Sequence, residues 1–262
     1  MKIVRFSASG HIHYGILAGN NVQQLYADPF SQIKLLDKFY KLNEVKLLPP
    51  CQPSKIVAIG INYRSHAIEF KHDLPDSPLM FLKPASAVIG PEDNIIYPPL
   101  SKQVDFEGEL GIVIGKKAHQ LDDADASKYV LGYTCFNDIT ARDLQKKDGQ
   151  WTRAKGFDTF AAIGPWIETK LDPSNLKLET RLNGEIKQSG TTTDLIFNVA
   201  QLVSAVSQVM TLLPGDLIAS GTPSGVGPMQ PGDTTEIYIE GIGILVNHVI
   251  REAGISHPYQ RG

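Results

Sequence analysis

Apolar and polar residues alternate through residues 2–6 and again through 14–18, which predicts two short strands flanking a polar turn over residues 7–13. Residues 31–43 carry apolar groups at a looser spacing and predict a helix. The Pro49, Pro50 and Pro53 stretch cannot continue a helix, because proline removes a donor and restricts the residue before it. This places a boundary between a small amino-terminal domain (residues 1–52) and a main domain (residues 53–262). Beyond it the texture is mostly β. Short runs of strand-forming residues occur at 56–59, 80–82, 87–89, 109–114 and 130–134. Val199, Leu202, Val203, Val206 and Met210 recur at helical spacing and predict a helix that ends before Leu213-Pro214-Gly215-Asp216. Residues 237–239 and 244–250 predict a closing hairpin turned near Gly241-Ile242-Gly243.

Composition changes this picture little. The 262 residues, 42% hydrophobic and 20% charged, are those of an ordinary globular chain. A formal net charge of -3, with no basic run longer than a pair, argues against a nucleic-acid partner. No apolar run is long enough to span a bilayer, and residues 1–6 lack the apolar core of a signal peptide, so a cytoplasmic protein without a membrane partner is expected. Cys51 and Cys135 lie far apart outside any CxxC pair and read as two lone thiols. Strands outnumber helices, and there is neither a regular βαβ alternation nor a GxGxxG, which argues against a dinucleotide fold.

The candidate chemistry centres on Glu107-Gly108-Glu109, which leads into an apolar strand. Residues i and i+2 of a strand share a face, so both carboxylates point one way, and burying them is costly unless a cation lies between them. Asp138, at the end of the next strand, can join them. Three hard oxygen donors without histidine or cysteine suit Mg²⁺, Mn²⁺ or Ca²⁺ better than Zn²⁺. An isolated Glu-x-Glu, however, is more often a solvated strand face. His66 and Glu69 share a face if their segment is helical, either as a surface pair or as a base oriented by a carboxylate. A helical turn would present Arg142 and Gln145 to one cleft, and a guanidinium suits a substrate carboxylate, though a surface ion pair with Asp143 or Asp148 explains Arg142 equally well. The polar, proline-broken residues 70–78 read as a mobile lid.

Five segments together resemble the fumarylacetoacetate hydrolase family, in its order. They are Gly60-Ile61-Asn62-Tyr63-Arg64-Ser65-His66-Ala67-Ile68-Glu69, then Met80-Phe81-Leu82-Lys83-Pro84, then Asp105-Phe106-Glu107-Gly108-Glu109-Leu110. The fourth runs from Asn137-Asp138 through Arg142-Asp143-Leu144-Gln145 to Lys155-Gly156-Phe157-Asp158, and the fifth is Ser220-Gly221-Thr222-Pro223-Ser224-Gly225-Val226-Gly227. The resemblance implies a mainly β (α+β) fold, a mixed β-sandwich roll with a small amino-terminal appendage, and a homodimer. It implies Glu107, Glu109 and Asp138 as metal ligands, with Mg²⁺ as the expected ion, and a small 2-oxo acid as substrate. Within it His66, Glu69 and Lys155 are the expected catalytic groups, and Arg142, Gln145, Thr192, Thr222 and Lys83 the expected substrate contacts.

The leading functional expectation is hydrolysis of a carbon–carbon bond in an acylpyruvate-type 2,4-dioxo acid. Oxaloacetate decarboxylation or keto-enol tautomerisation is the main alternative, and hydration or isomerisation of a 2-oxo-dienoate is a second. A non-catalytic small-acid binding protein is the reading from outside the enzyme class. One fold hosts all of these.

Overall fold

A computed structural model describes residues 1–71 and 73–251. Its centre is the strand Gly108–Ile114, buried at all seven positions. That explains why its sequence runs apolar rather than alternating: both faces are covered. Leu110, Ile112 and Ile114 pack into one core with Ile237, Leu245 and Val206, whereas Val113 packs on the opposite side with Ile3, Phe136, Ile163 and Leu217.

Around this strand runs a twelve-stranded sheet. Its continuous order is Leu35–Lys41, Asn21–Leu25, His11–Ala18, Lys2–Ala8, Ala161–Glu168, Val130–Asp138, Gly108–Ile114, Leu217–Ala219, Ile56–Gly60 and Leu79–Lys83, with Lys46–Leu48 also paired to Lys2–Ala8 and Val88–Ile89 to Ala161–Glu168. A five-stranded sheet (Glu185–Thr191, Lys177–Leu182, Thr234–Ile239, Gly243–Arg251, Asn94–Tyr97) and a three-stranded one (Thr140–Ala141, Val104–Phe106, Gly227–Met229) complete the mainly β fold. The expected closing hairpin is present, with Thr234 opposite His248 and Ile239 opposite Gly243.

The expected carboxy-terminal helix is Val199–Val209. Asn198 accepts from the Gln201 amide while the Gln201 side chain accepts from the Asn198 amide, a capping box that satisfies donors at the helix start. The helix buries Val199, Leu202, Val203 and Val206, each worth about 1.5–3 kcal/mol if fully removed from water.

The amino-terminal segment differs from expectation. Residues 31–43 form no α-helix; they supply the edge strand Leu35–Lys41 and then a short 3-10 turn, Leu42–Glu44. Tyr40 lies opposite Val22 and packs edge-on against Phe6 with ring centroids 5.1 Å apart. That cross-strand aromatic contact outweighs a weak local helical spacing. The turn between the first two strands is also tighter than the polar run implied: only Ser9 and Gly10 lie outside the ladder, both at positive φ, as a two-residue hairpin requires. This whole segment is hydrogen-bonded into the main sheet, with Ile3 opposite Ile167.

Asp216 secures the crossing of the chain at Ser54 and Lys55, the start of the main segment. Its fully buried carboxylate accepts from the Ser54 amide (2.9 Å), the Ser54 hydroxyl (2.6 Å), the Lys55 ammonium (2.5 Å) and the Leu213 amide (2.8 Å). Asp216→Ala leaves these donors without an acceptor, and the expected loss is about 3 kcal/mol in urea unfolding monitored by circular dichroism. A change below about 0.5 kcal/mol would mean that Asp216 does not secure this crossing.

Candidate metal centre

Glu109 and Asp138 arrive from neighbouring strands, and Glu107 from the junction just before the first of them. Glu107 sits where the chain passes from Val104–Phe106 into Gly108–Ile114, between two sheets rather than within one strand. Its amide donates to Asn137 Oδ1 (3.0 Å), and its carbonyl accepts from the Asp138 amide (2.8 Å). That bond sets Asp138 beside Glu107, while Glu109 opposes Phe136 two residues further along. One oxygen from each of Glu107, Glu109 and Asp138 falls within 4.8 Å of the others. At 5%, 2% and 1% exposure they are not a solvated strand face.

Three cations surround them. Lys155 Nζ donates to Glu107 Oε2 (2.9 Å) and Asp138 Oδ2 (2.6 Å), and Lys83 Nζ donates to Asp138 Oδ1 (2.5 Å). Arg142 donates to Glu107, to Asp105 Oδ2 (2.8 Å) and to Gln145 Oε1 (2.7 Å). Four carboxylates, counting Asp105, thus face three cations.

The electrostatics are uneven. Burial pushes the Glu107 carboxyl up, but Lys155 and Arg142 beside it more than reverse this and hold it well below the usual carboxylate range. Burial lowers Lys83 to about 8 against the opposing pull of Asp138. Burial likewise disfavours the charged form of Lys155, yet Asp138 and Glu107 outweigh it and the net shift is upward. Glu109 is pushed well above the carboxylate range by burial and by the charges of Asp138 and Glu107. Its hydrogen-bond partner is the Gly221 amide (2.8 Å), and no cationic side chain among the described residues pairs with it. A buried like-charge cluster with oxygen donors only, one of them without a cationic hydrogen-bond partner, fits a hard divalent cation.

A cavity of about 380 Å³ opens over the cluster. Ile59, Ile61, Phe70, Phe81 and Trp151 form its apolar walls, and Arg142, Gln145, Lys146, Lys155 and Thr222 add polar groups. His66 reaches it from the short helix Arg64–Glu69, with Nδ1 3.2 Å from Glu69 Oε2; Glu69 Oε1 in turn accepts from the Gly225 amide at 3.0 Å. Burial lowers the His66 pKa despite the opposing influence of Glu107 and Glu69, which favours the neutral imidazole a general base needs. In the segment expected as a lid, Phe70 packs against the His66 ring with centroids 4.8 Å apart and the planes tilted by 59°, and His72 lies outside the described residues.

Most of the expected site residues therefore converge, with three differences in role. Lys83 lies behind Asp138, not on the cavity wall. The Thr222 hydroxyl lines the cavity but donates to the Gly108 carbonyl (2.8 Å). Thr192 is not brought into the cavity: its hydroxyl accepts from the Leu176 amide (2.8 Å), so it tethers a loop. Sequence reasoning missed Asp105, Phe81 and Trp151. Asp105 had a readable signal, since in a strand it shares a face with Glu107 two residues on. Among the described residues no helix is long and apolar enough to cross a membrane, and both cysteines are free and buried.

Comparison with known proteins agrees with this geometry. Residues 55–250 match the family described as fumarylacetoacetate (FAA) hydrolase C-terminal, and residues 1–50 match Rv2993c-like, N-terminal. The chain is 42% identical over 215 residues to the mitochondrial oxaloacetate tautomerase Fahd2a of Rattus norvegicus, covering 78% of this chain and 69% of the rat protein. Among solved structures it is similar to 5-carboxymethyl-2-hydroxymuconate delta-isomerase from Mycobacterium smegmatis, with a TM-score of 0.92, 42% identity and coverage of 96% and 100% of the two chains. It is also similar to maleylpyruvate hydrolase from Sphingobium sp. SYK-6 in complex with manganese(II) and pyruvate, with a TM-score of 0.82, 30% identity and coverage of 97% and 100%.

Proposed function

The chain belongs to the fumarylacetoacetate hydrolase family, whose members are enzymes, and from that premise we propose that it hydrolyses a carbon–carbon bond in an acylpyruvate-type 2,4-dioxo acid. The observation that carries the reading is the His66–Glu69 pair, anchored on the Gly225 amide and facing the carboxylate cluster across one cavity. Hydrolysis needs a base that activates water; enolisation needs one that takes a carbon-bound proton, so the attacking water and not the base is what separates the two.

Glu107, Glu109 and Asp138 would hold the cation, with Mg²⁺ the proposed ion; the Sphingobium enzyme, a complex with manganese(II) and pyruvate, supports a divalent ion and a 2-oxo acid for this chain. When bound, that ion supplies Lewis-acid polarisation of the 2-oxo group. Neutral His66 takes a proton from water, whose oxygen bonds to the distal carbonyl carbon, and Glu69 steadies the imidazolium so formed. The bond between that carbon and its neighbour then breaks. Its electron pair remains with the pyruvate fragment as an enolate, the His66 imidazolium returns its proton to the enolate carbon, and the distal fragment leaves as a carboxylic acid. Lys155, held protonated by Asp138 and Glu107, is a donor toward the negative charge that develops. A homodimeric cytoplasmic enzyme completes the proposal.

The second reading is oxaloacetate tautomerisation, which the rat relative favours and which needs no attacking water. Purified protein assayed with acetylpyruvate, fumarylpyruvate and oxaloacetate, with Mg²⁺ and with EDTA, separates the two. Hydrolysis predicts Mg²⁺-dependent release of pyruvate from the acylpyruvates. Turnover of oxaloacetate alone would replace the first reading with the second.

The state of His66 also sets a pH dependence. Because burial lowers its pKa, the base stays neutral as pH falls through the ordinary imidazole value of 6.5. The acid limb of kcat/KM is therefore expected below 6.5; a limb at or above 6.5 would contradict the burial of a functional His66.

A further inference from the structure

Strand Glu185–Thr191 is the outer strand of the five-stranded sheet, and most of its residues are exposed or half-buried. Gln188 is the exception, with no exposure at all. A buried primary amide needs partners for both its oxygen and its nitrogen. Gln188 Oε1 accepts from the Gly108 amide (2.9 Å), and Nε2 donates to Thr222 Oγ1 and to the Pro223 carbonyl (both 2.8 Å). The Thr222 hydroxyl then donates to the Gly108 carbonyl (2.8 Å). The ring closes around a single residue, the one between Glu107 and Glu109.

The loop on the far side of this ring reaches both halves of the site. Its Gly221 amide holds Glu109, and its Gly225 amide holds Glu69. It lies directly on the Gln188 strand: a Cβ at Gly225 would meet the Lys187 carbonyl oxygen at 2.1 Å, and one at Gly190 would meet Pro223 Cβ at 2.8 Å. Nor can position 108 carry a side chain, since its Cβ would come within 2.1 Å of Thr180 Oγ1. The chain is thus packed without slack from the Gln188 strand to the carboxylates.

We propose that Gln188, which does not line the cavity, is a positioning residue that fixes the carboxylate cluster in register with the His66–Glu69 pair. The inference rests on the reading that the cluster holds a divalent cation. Its test uses the full chain with Gln188→Leu, Thr222→Val and Thr222→Ser. Mn²⁺ affinity is measured without substrate, from the electron paramagnetic resonance of the free ion. Melting temperature in EDTA and steady-state kinetics are measured alongside.

Gln188→Leu is expected to weaken Mn²⁺ binding by about 10-fold or more and to lower kcat with a smaller change in KM. Thr222→Val breaks the same ring from the other side and should weaken Mn²⁺ binding likewise, whereas Thr222→Ser keeps the hydroxyl and should weaken it less than Thr222→Val does. Should Gln188→Leu not fold, the two Thr222 variants decide the matter. Native Mn²⁺ affinity in Gln188→Leu or Thr222→Val, even with a lowered melting temperature, would reduce Gln188 to ordinary packing and overturn the inference. Failure of the native chain to bind Mn²⁺ would instead remove the cation reading on which it rests.

Discussion

Glu109→Gln is expected to abolish metal-dependent turnover while making the metal-free protein more stable. Glu109 is the proposed ligand without a cationic hydrogen-bond partner among the described residues, and its ionised form is opposed by burial and by two neighbouring carboxylates. A group whose folded-state pKa is raised above its unfolded value destabilises the fold at every pH where the unfolded chain ionises it. Glutamine keeps an oxygen for the Gly221 amide and removes the charge. The stabilisation should be about 1 kcal/mol, equivalent to roughly 2–4 °C in melting temperature measured in EDTA. Metal affinity should fall by more than about 100-fold, beyond the usual effect of an outer partner. Glu107 and Asp138 give less clean tests, because removing either strands Lys155 without one of its two anions. A Glu109→Gln protein that melts lower in EDTA and still binds Mn²⁺ would take Glu109 out of the centre.

His66→Ala is expected to lower kcat for acylpyruvate hydrolysis by about 10²–10⁴-fold, the range for loss of a general base, with Mn²⁺ affinity unchanged. The separation follows from geometry: His66 bonds to Glu69, which is held by Gly225, and none of the three contributes a carboxylate to the cluster. The same variant distinguishes the readings. Retained oxaloacetate tautomerisation beside lost hydrolysis would mean that the two reactions share the carboxylate centre and diverge at the base. Undiminished hydrolysis would exclude His66 as the base.

Legibility in the sequence followed the range of the forces involved. The strand at residues 109–114 and the helix ending near Met210 were readable because their apolar patterns report burial directly. Strand Leu35–Lys41 was not, because its conformation depends on pairing with Asn21–Leu25 and on Tyr40 meeting Phe6, neither of which is local. Strand Glu185–Thr191 escaped for a related reason: Glu185-Ile186-Lys187-Gln188-Ser189-Gly190-Thr191 has almost no apolar content, and the strand exists through its ladder with Lys177–Leu182. In the site, the ordered motifs marked Glu107, Glu109, Asp138, His66 and Lys155 as a group. Their company could not reveal that Lys83 would reach Asp138 across 55 residues, or that Arg142 would be engaged by Asp105 and Glu107. For Thr192, grouped with the site by its neighbours in the sequence, the structure shows instead a hydroxyl accepting from the Leu176 amide.

The four carboxylates and three cations of the centre carry a kinetic consequence. Fixed charges that include no surplus of positive sign give an arriving anion no net attraction, whatever hydrogen bonds await it inside. Two added positive charges reverse that sign, and a low-dielectric cavity magnifies the reversal. For the proposed divalent ion this predicts that the ion binds first and that the affinity for the acid rises with the free concentration of the ion.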